Sequence, residues 1–320
     1  PLQIVMTKNA TEGLNIAIFG LLKSGDHVIT SSMEHNSVMR PLRVMERRGV
    51  ELTVIPCDPE GLIDPAHVNG AVKKNTRAIF MTHASNVTGT VMPVADIGRI
   101  ARECGLVFCV DAAQTAGCHP IDVKEMNIDL LAFTGHKSLF GPSGTGGLYI
   151  REGLEKRIEP LCVGGTGSRS EVEEHPDFMP DRYEAGTPNT VGVAGLQAGI
   201  DFVLSEGIDQ IKRKEEELVK IFTEGIKGLT GVTLYGQAGT QKRTPVVSFN
   251  IAGMDPAAVA LELDDRFNIM ARSGIHCAPS AHKTIGTYPQ GTVRFSFSYF
   301  NTQEQIAKAI DAIYQIAARH

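Results

Sequence analysis

Apolar and polar positions along this chain change period repeatedly, and the changes mark out alternating strands and helices. Short apolar runs of strand character occupy residues 3–7, 28–30, 52–55, 78–82 and 106–110, a run ending at Thr134, and residues 147–151. Between them, Leu14, Ala17, Ile18, Leu21 and Leu22 recur at helical spacing, as do Val38, Leu42 and Met45. Residues 65–73 and 93–104 read as further helices, and longer helical patterns follow at 192–204 and 210–227. The rest predicts strands at 232–235, 245–251, 269–271 and 292–296, with helices at 256–267 and 302–318. Alternation over the first two hundred residues predicts an α/β fold with a mainly parallel, doubly wound sheet. The turn Ser205-Glu206-Gly207 is the expected boundary between a large domain, 1–205, and a smaller α+β domain, 206–320.

Composition narrows the options. A chain of 320 residues, 42% hydrophobic and 21% charged, can bury a sizeable core. A net charge of −5 without a dense basic cluster argues against nucleic-acid binding. The longest apolar run, residues 16–22, is too short to span a bilayer, and no signal peptide precedes the first strand. Six cysteines without a CxxC pair suit a reducing, cytoplasmic compartment. His276, Cys277 and His282 follow no regular zinc spacing, so no metal is expected. The chain starts at Pro1 and enters a strand at once, which reads as an N-terminally truncated sequence.

Candidate chemistry gathers at strand ends. Lys137 follows one apolar strand and Asp111 ends another, with Gln114 three residues on. Open α/β sheets put their ligands at the carboxyl ends of strands. An amine and a carboxylate placed there suit pyridoxal 5'-phosphate: the lysine carries the cofactor, and the aspartate keeps its pyridine nitrogen protonated. Thr11 opens a helix, where amides bind anions, and His35 sits at a strand-to-helix junction. Residues 83–90, small and polar after a strand, suit a ligand loop. The glycine-rich stretch 141–147 leads into a strand rather than a helix, so it is not a dinucleotide or P-loop signature.

Together these segments resemble the class V aminotransferase family and, within it, the cysteine desulfurases with a short catalytic loop, the SufS-like and selenocysteine-lyase-like branch. Ala10 to Asn15 is similar to TTEGIN, Glu34-His35-Asn36 to EHH, and Ser85 to Thr90 to SNVxGT. Asp111 to Gln114 is similar to DGAQ, and Thr134 to Lys137 to SGHK. Glu184 to Asn189 reads EAGTPN, Arg272 to Ala278 matches RxGxHCA, and Arg294 to Thr302 resembles RxSxxxYNT. Each segment alone is weak; eight in the family's order are specific.

The resemblance implies a fold-type I pyridoxal-phosphate enzyme. Lys137 would bind the cofactor covalently, Asp111 would face its ring nitrogen, Gln114 its hydroxyl, and His35 would stack on its ring. Thr11, Thr134 and His136 would hold the phosphate, with Thr187 supplied by the other subunit of a homodimer. Asn86, Arg272 and Arg294 would hold the carboxylate of L-cysteine. Cys277 would take the sulfur as a persulfide, with His276 close enough in sequence to assist proton transfer. A protein sulfur acceptor and a place in iron–sulfur cluster assembly are further implications. Selenocysteine lysis, transamination or epimerisation are the alternatives on this fold. Ala10 stands where the family has a threonine, which removes one hydroxyl from the phosphate site. Family members also carry an N-terminal segment that this sequence does not show.

Overall fold

A computed structural model describes residues 3–239 and 242–319. The first half of the chain builds β1 (Ile4–Thr7), α1 (Ala10–Leu21), β2 (His27–Ser31), α2 (Asn36–Arg47), β3 (Glu51–Ile55), α3 (Pro65–Gly70), β4 (Thr76–Thr82), α4 (Val94–Glu103), β5 (Val107–Asp111), β6 (Leu130–Thr134) and β7 (Gly146–Ile150). The strands form one sheet in the order β1-β7-β6-β5-β4-β2-β3. The run from β3 through β6 is parallel, and β7 lies antiparallel between β6 and β1. Every residue of β2 and β5 is buried, as parallel strands covered on both faces require. On one face α1 lays Leu14, Ile18 and Leu21 against Ala132 and Leu148. On the other, Ile97 and Ala101 of α4 pack with Ile79 and Phe108. The expected doubly wound α/β architecture is present.

Two long helices follow, α5 (Thr190–Glu206) and α6 (Ile208–Ile226), with an 82° bend between them. The bend falls at Gly207, whose φ of 83° lies in the region that favours glycine. No single helix among the described residues is long and apolar enough to cross a membrane. The remainder comprises β8 (Val232–Tyr235), β9 (Val246–Ile251), α7 (Pro256–Phe267), β10 (Arg272–Gly274), α8 (Pro279–Thr284), β11 (Thr292–Ser296) and α9 (Gln303–Ala317). Its four strands form an antiparallel sheet, β10-β11-β9-β8. Phe222 of α6, Leu263 of α7 and Ile313 of α9 pack with Phe249 and Phe295 of this sheet.

Two expectations need correction. The strand predicted at 269–271 begins instead at Arg272. Asn268, at a φ of 51°, closes α7, and the Ile269 amide turns back to the Leu263 carbonyl. Met270 is then left 90% exposed, so its apolar character marked no strand. The six-residue α8 was not foreseen, because a helix so short shows no period.

The two sheets meet along a seam of main-chain carbonyls. Four consecutive residues of the loop after β4 each offer a carbonyl oxygen. Arg294 Nη1 donates to Asn86 (2.9 Å), Ser248 Oγ to Val87 (2.6 Å), Arg243 Nη2 to Thr88 (2.9 Å) and the Thr244 amide to Gly89 (2.8 Å). Gly89 has a φ of 76°, and a Cβ there would lie 2.7 Å from the Val246 carbonyl oxygen. Only glycine fits that crossing.

Candidate active site

The parallel strands aim their carboxyl ends at one cavity of ≈ 280 Å³. β2 leads to His35, β4 ends in Thr82 and leads to Asn86, β5 ends in Asp111, and β6 ends in Thr134 and leads to Lys137. The residues of the loop after β5, Ala113 and Gln114, and Arg272 of β10 complete much of the wall. A chain fold that reverses direction at each strand end brings these groups together although they are far apart in sequence.

Lys137 and Asp111 form the polar floor. Burial pushes the Lys137 amine below the usual lysine range; Asp111 opposes that shift, and Arg294 and Arg272 add to it. Asp111 is 5% exposed, and one of its carboxylate oxygens accepts from the Ala113 amide at 3.0 Å. A carboxylate and an amine thus face a ligand from the same cavity. Burial also lowers the His35 imidazole; Asp111 opposes this, while Lys137, Arg272 and Arg40 reinforce it. The Nδ1 of His35 accepts from the Ser37 amide at 3.0 Å, which makes His35 the N-cap of α2 and orients its ring.

At the opposite end, α1 presents its first turn. Asn9 caps it by accepting from the Glu12 amide at 3.0 Å. Ala10 and Thr11 line the cavity, and amides at these positions have no partner inside a helix. Thr11 Oγ1 shares a hydrogen bond with Ser37 Oγ (2.7 Å), and Thr134 Oγ1 shares one with His136 Nδ1 (2.9 Å). Burial lowers the His136 imidazole, and Lys137 adds to the effect. Helix amides, two hydroxyls and an imidazole suit a phosphate group. An aspartate and an amine across the cavity suit a cationic heteroaromatic ring. The donor set therefore fits the cofactor expected from the sequence.

Arg294 belongs to an adjoining cavity of ≈ 370 Å³ that shares Lys137 and Gln114 with the first. Burial lowers its guanidinium and Arg272 adds to that, while Cys277 opposes. Its Nε is buried without a partner among the described residues. A buried donor left open beside Lys137 is a ready anchor for a carboxylate.

Cys277 sits differently. It is exposed, and its sulfur lies 3.9 Å from Arg272 Nη2. His276 and Cys277 have φ of 50° and 59°, two adjacent left-handed residues without a glycine. Such a backbone persists only where its surroundings hold it. Here Asn86 Nδ2 donates to the His276 carbonyl (2.7 Å), the Asn36 amide donates to the Cys277 carbonyl (2.8 Å), and His276 Nε2 lies 3.1 Å from the Thr292 carbonyl oxygen. The result is a braced loop that presents one thiol outward.

Several sequence expectations change in detail. His276 is 3% exposed, burial pushes its imidazole down to about 3, and its Nε2 meets the Thr292 carbonyl oxygen, which is the contact of a residue that braces the loop. Asn86 lines the cavity, yet its side-chain nitrogen is committed to that loop. Thr187 lies exposed beside Gly144 and Glu184, outside the cavity formed by its own chain. Of the other five cysteines, Cys109 and Cys118 are buried and Cys57 partly so, whereas Cys104 and Cys162 are exposed. Ser37, which links His35 to Thr11, was missed, as was Thr82. Ser37 stands two residues after His35, in the first turn of α2, and nothing in the sequence marked its hydroxyl as a link to Thr11.

The family model described as aminotransferase class-V matches residues 1–308. A probable cysteine desulfurase of Methanothermobacter thermautotrophicus is 39% identical over 98% of this chain and 79% of its own. A cysteine desulfurase of Salmonella agona is 34% identical over 98% of this chain and 78% of its own. Among solved structures, the apo cysteine desulfurase of Thermococcus onnurineus NA1 superposes with a TM-score of 0.91 at 39% identity, covering 99% of this chain and 80% of that one. Cysteine desulfurase CsdA of Escherichia coli gives 0.89 at 28% identity, covering 99% and 79%.

Proposed function

The chain belongs to the aminotransferase class-V family, and from that premise we propose that it is a pyridoxal-phosphate-dependent cysteine desulfurase, converting L-cysteine to L-alanine and taking the sulfur onto Cys277. The observation that carries the reading is the pairing of two unlike sites: a buried Lys137–Asp111 cavity, and a braced loop holding an exposed thiol beside Arg272. Transamination alone has no use for that thiol.

Lys137 would carry the cofactor, with Thr11, Thr134, His136 and the first amides of α1 on its phosphate. Asp111 would hold a proton at its ring nitrogen, Gln114 would meet its hydroxyl, and His35 would lie on its face. Pyridoxal phosphate, when bound, supplies an electron sink for the pair released at the substrate's α-carbon. The lowered amine of Lys137 can then accept the α-proton at Nζ. Arg294 and Arg272 hold the substrate carboxylate and fix which bond to the α-carbon faces that amine. The Cys277 thiolate attacks the substrate sulfur: an S–S bond forms, the C–S bond breaks, and the carbon keeps the electron pair and takes a proton. Arg272, 3.9 Å from the sulfur, offers a cation to the charge on it.

The same reading assigns the cofactor to a large domain, 1–205, and the cysteine loop to a small one, 206–320. It places Thr187, exposed in its own chain, on the phosphate of a second copy, so that two sites are shared by a homodimer. Six free cysteines suit a reducing compartment such as the cytoplasm, and the outward thiol suits a protein sulfur acceptor. The test is to incubate the protein and pyridoxal phosphate with L-cysteine and a thiol reductant, then assay alanine and sulfide together. Equimolar products support the reading; pyruvate, or alanine without sulfide or persulfide, overturns it.

A further inference from the structure

One buried acid beneath the cavity has no part in the chemistry above. Glu34 follows β2 and is fully buried. Its Oε1 accepts two hydrogen bonds, from Ser31 Oγ at 2.5 Å and from the Thr82 amide at 3.0 Å. Its Oε2 is buried and has no partner among the described residues. No lysine, arginine or histidine forms an ion pair with it among those residues. A bare carboxylate oxygen in such a place is far more costly than a neutral acid group.

The location gives the group its meaning. Ser31 ends β2 and Thr82 ends β4, so Glu34 ties two neighbouring strand ends that deliver His35 and the wall of the cavity. Thr82 lies opposite Asp111 in the β4–β5 register. We propose that Glu34 is a positioning residue, a neutral acid that locks the ends of β2 and β4 and leaves Asp111 as the single carboxylate charge facing the cofactor ring. The charge of Asp111 acts on Glu34 and favours its neutral form, so only one of the two acids need carry charge beneath the ring. The groups whose charge acts with that of Glu34 are Asp111 and Cys109 on β5 and Cys57 beyond β3, all acids; the neighbouring His35 is a base, but burial holds its imidazole low, so it offers no balancing cation. Burial pushes Glu34 up to about 8 and outweighs the Ser31 and Thr82 hydrogen bonds, which favour the charged form; the charge of Asp111 adds to the rise.

The inference rests on the cofactor reading, and the experiment separates the two. Infrared difference spectra of the cofactor-free chain in heavy water at neutral pH compare the parent with Glu34→Gln. The expected difference is loss of the carbonyl stretch of a protonated acid; loss of carboxylate bands instead would overturn the proposal. Pyridoxal phosphate binding is then followed by its visible absorbance. Glu34→Gln, which keeps the neutral acid's shape, should bind within about twofold of the parent, and Glu34→Ala at least about tenfold more weakly. Equal affinity of Glu34→Ala and parent would remove the positioning role, as would a Glu34→Gln variant no better than Glu34→Ala. A parent chain that binds no pyridoxal phosphate would sink the functional reading, while the infrared result still decides the state of Glu34.

Discussion

The cofactor cavity and the cysteine loop are two ways of holding a reactive group. In the cavity, Lys137, Asp111 and His35 stand at the ends of buried parallel strands or at the start of a helix, and regular backbone fixes each. On the loop, Cys277 is exposed on two left-handed residues, and regular structure does nothing for it. Three hydrogen bonds from other segments hold it instead. A group that must keep a cofactor for many turnovers gains from burial. On the proposed function, a group that takes up sulfur and passes it on gains from exposure, and its geometry has to come from bracing.

The sharpest way to break this contrast is to strike each centre alone. Lys137→Ala should lower alanine formation by on the order of 10²–10⁴-fold or more, with the visible absorbance of bound cofactor lost and the fold retained by circular dichroism. A variant that keeps a borohydride-reducible link to the cofactor would refute the assignment of Lys137. Cys277→Ala should leave the cofactor's absorbance and its response to L-cysteine intact, yet lower alanine production by on the order of a hundredfold or more. Alanine at the parent rate would return Cys277 to an ordinary surface residue.

A subtler blow falls on the brace. Asn86→Ala removes a buried hydrogen bond to the His276 carbonyl, with an expected cost of about 1–3 kcal/mol. If the bond holds the loop, sulfur transfer falls more than cofactor affinity does. Equal losses in both would mean that Asn86 serves the cavity directly.

The smallest expected effect is on stability against pH. Burial lowers four histidines furthest, His83, His119 and His282 to about 4 and His276 to about 3, and lowers His27, His35 and His136 in the same direction. They are neutral in the fold and take up protons on unfolding, so stability falls as pH drops below their unfolded value of 6.5. Burial raises Glu34 and Glu215 to about 8 from 4.5. They hold protons in the fold, so the stability they contribute is present below pH 4.5 and is lost as pH rises toward 8. Between 4.5 and 6.5 the lowered histidines outnumber and outweigh the two acids; above 6.5 the acids dominate. The melting temperature should therefore peak at about pH 6.5 and decline on both sides. Glu215→Gln should flatten the alkaline side, and a melting temperature that climbs steadily from pH 6.5 to 8 would contradict the balance.

The cavity was more legible in the sequence than the loop, and the reason is physical. Strand ends announce themselves, because an apolar run that stops at Asp111 or Thr134 marks both the strand and the place where chemistry can stand. Helix-start residues such as Thr11 and Asn9 carry the local signature of a cap. The bracing of Cys277 has no such mark. Asn86 and Asn36 lie far from it in sequence, and polar residues in a loop look alike whether they meet a substrate or a carbonyl group. His276 shows the same limit: next to Cys277 in the chain, it turns inward to Thr292. Glu34 and Ser37 flank His35 in plain view, but the sequence does not say that one is buried without a counter-charge and the other links two helix starts.

The seam between the two sheets has a consequence for how the protein tolerates change. The loop contributes carbonyl oxygens at Asn86, Val87, Thr88 and Gly89, so the side chains at 87 and 88 are not themselves partners in those four bonds, although both are buried. Its length cannot vary. Deleting or inserting a single residue between Ser85 and Thr90 would slide every carbonyl past its donor and carry the glycine out of the crossing. At 87 and 88 the segment should therefore accept a substitution of similar size more readily than a gap of one residue.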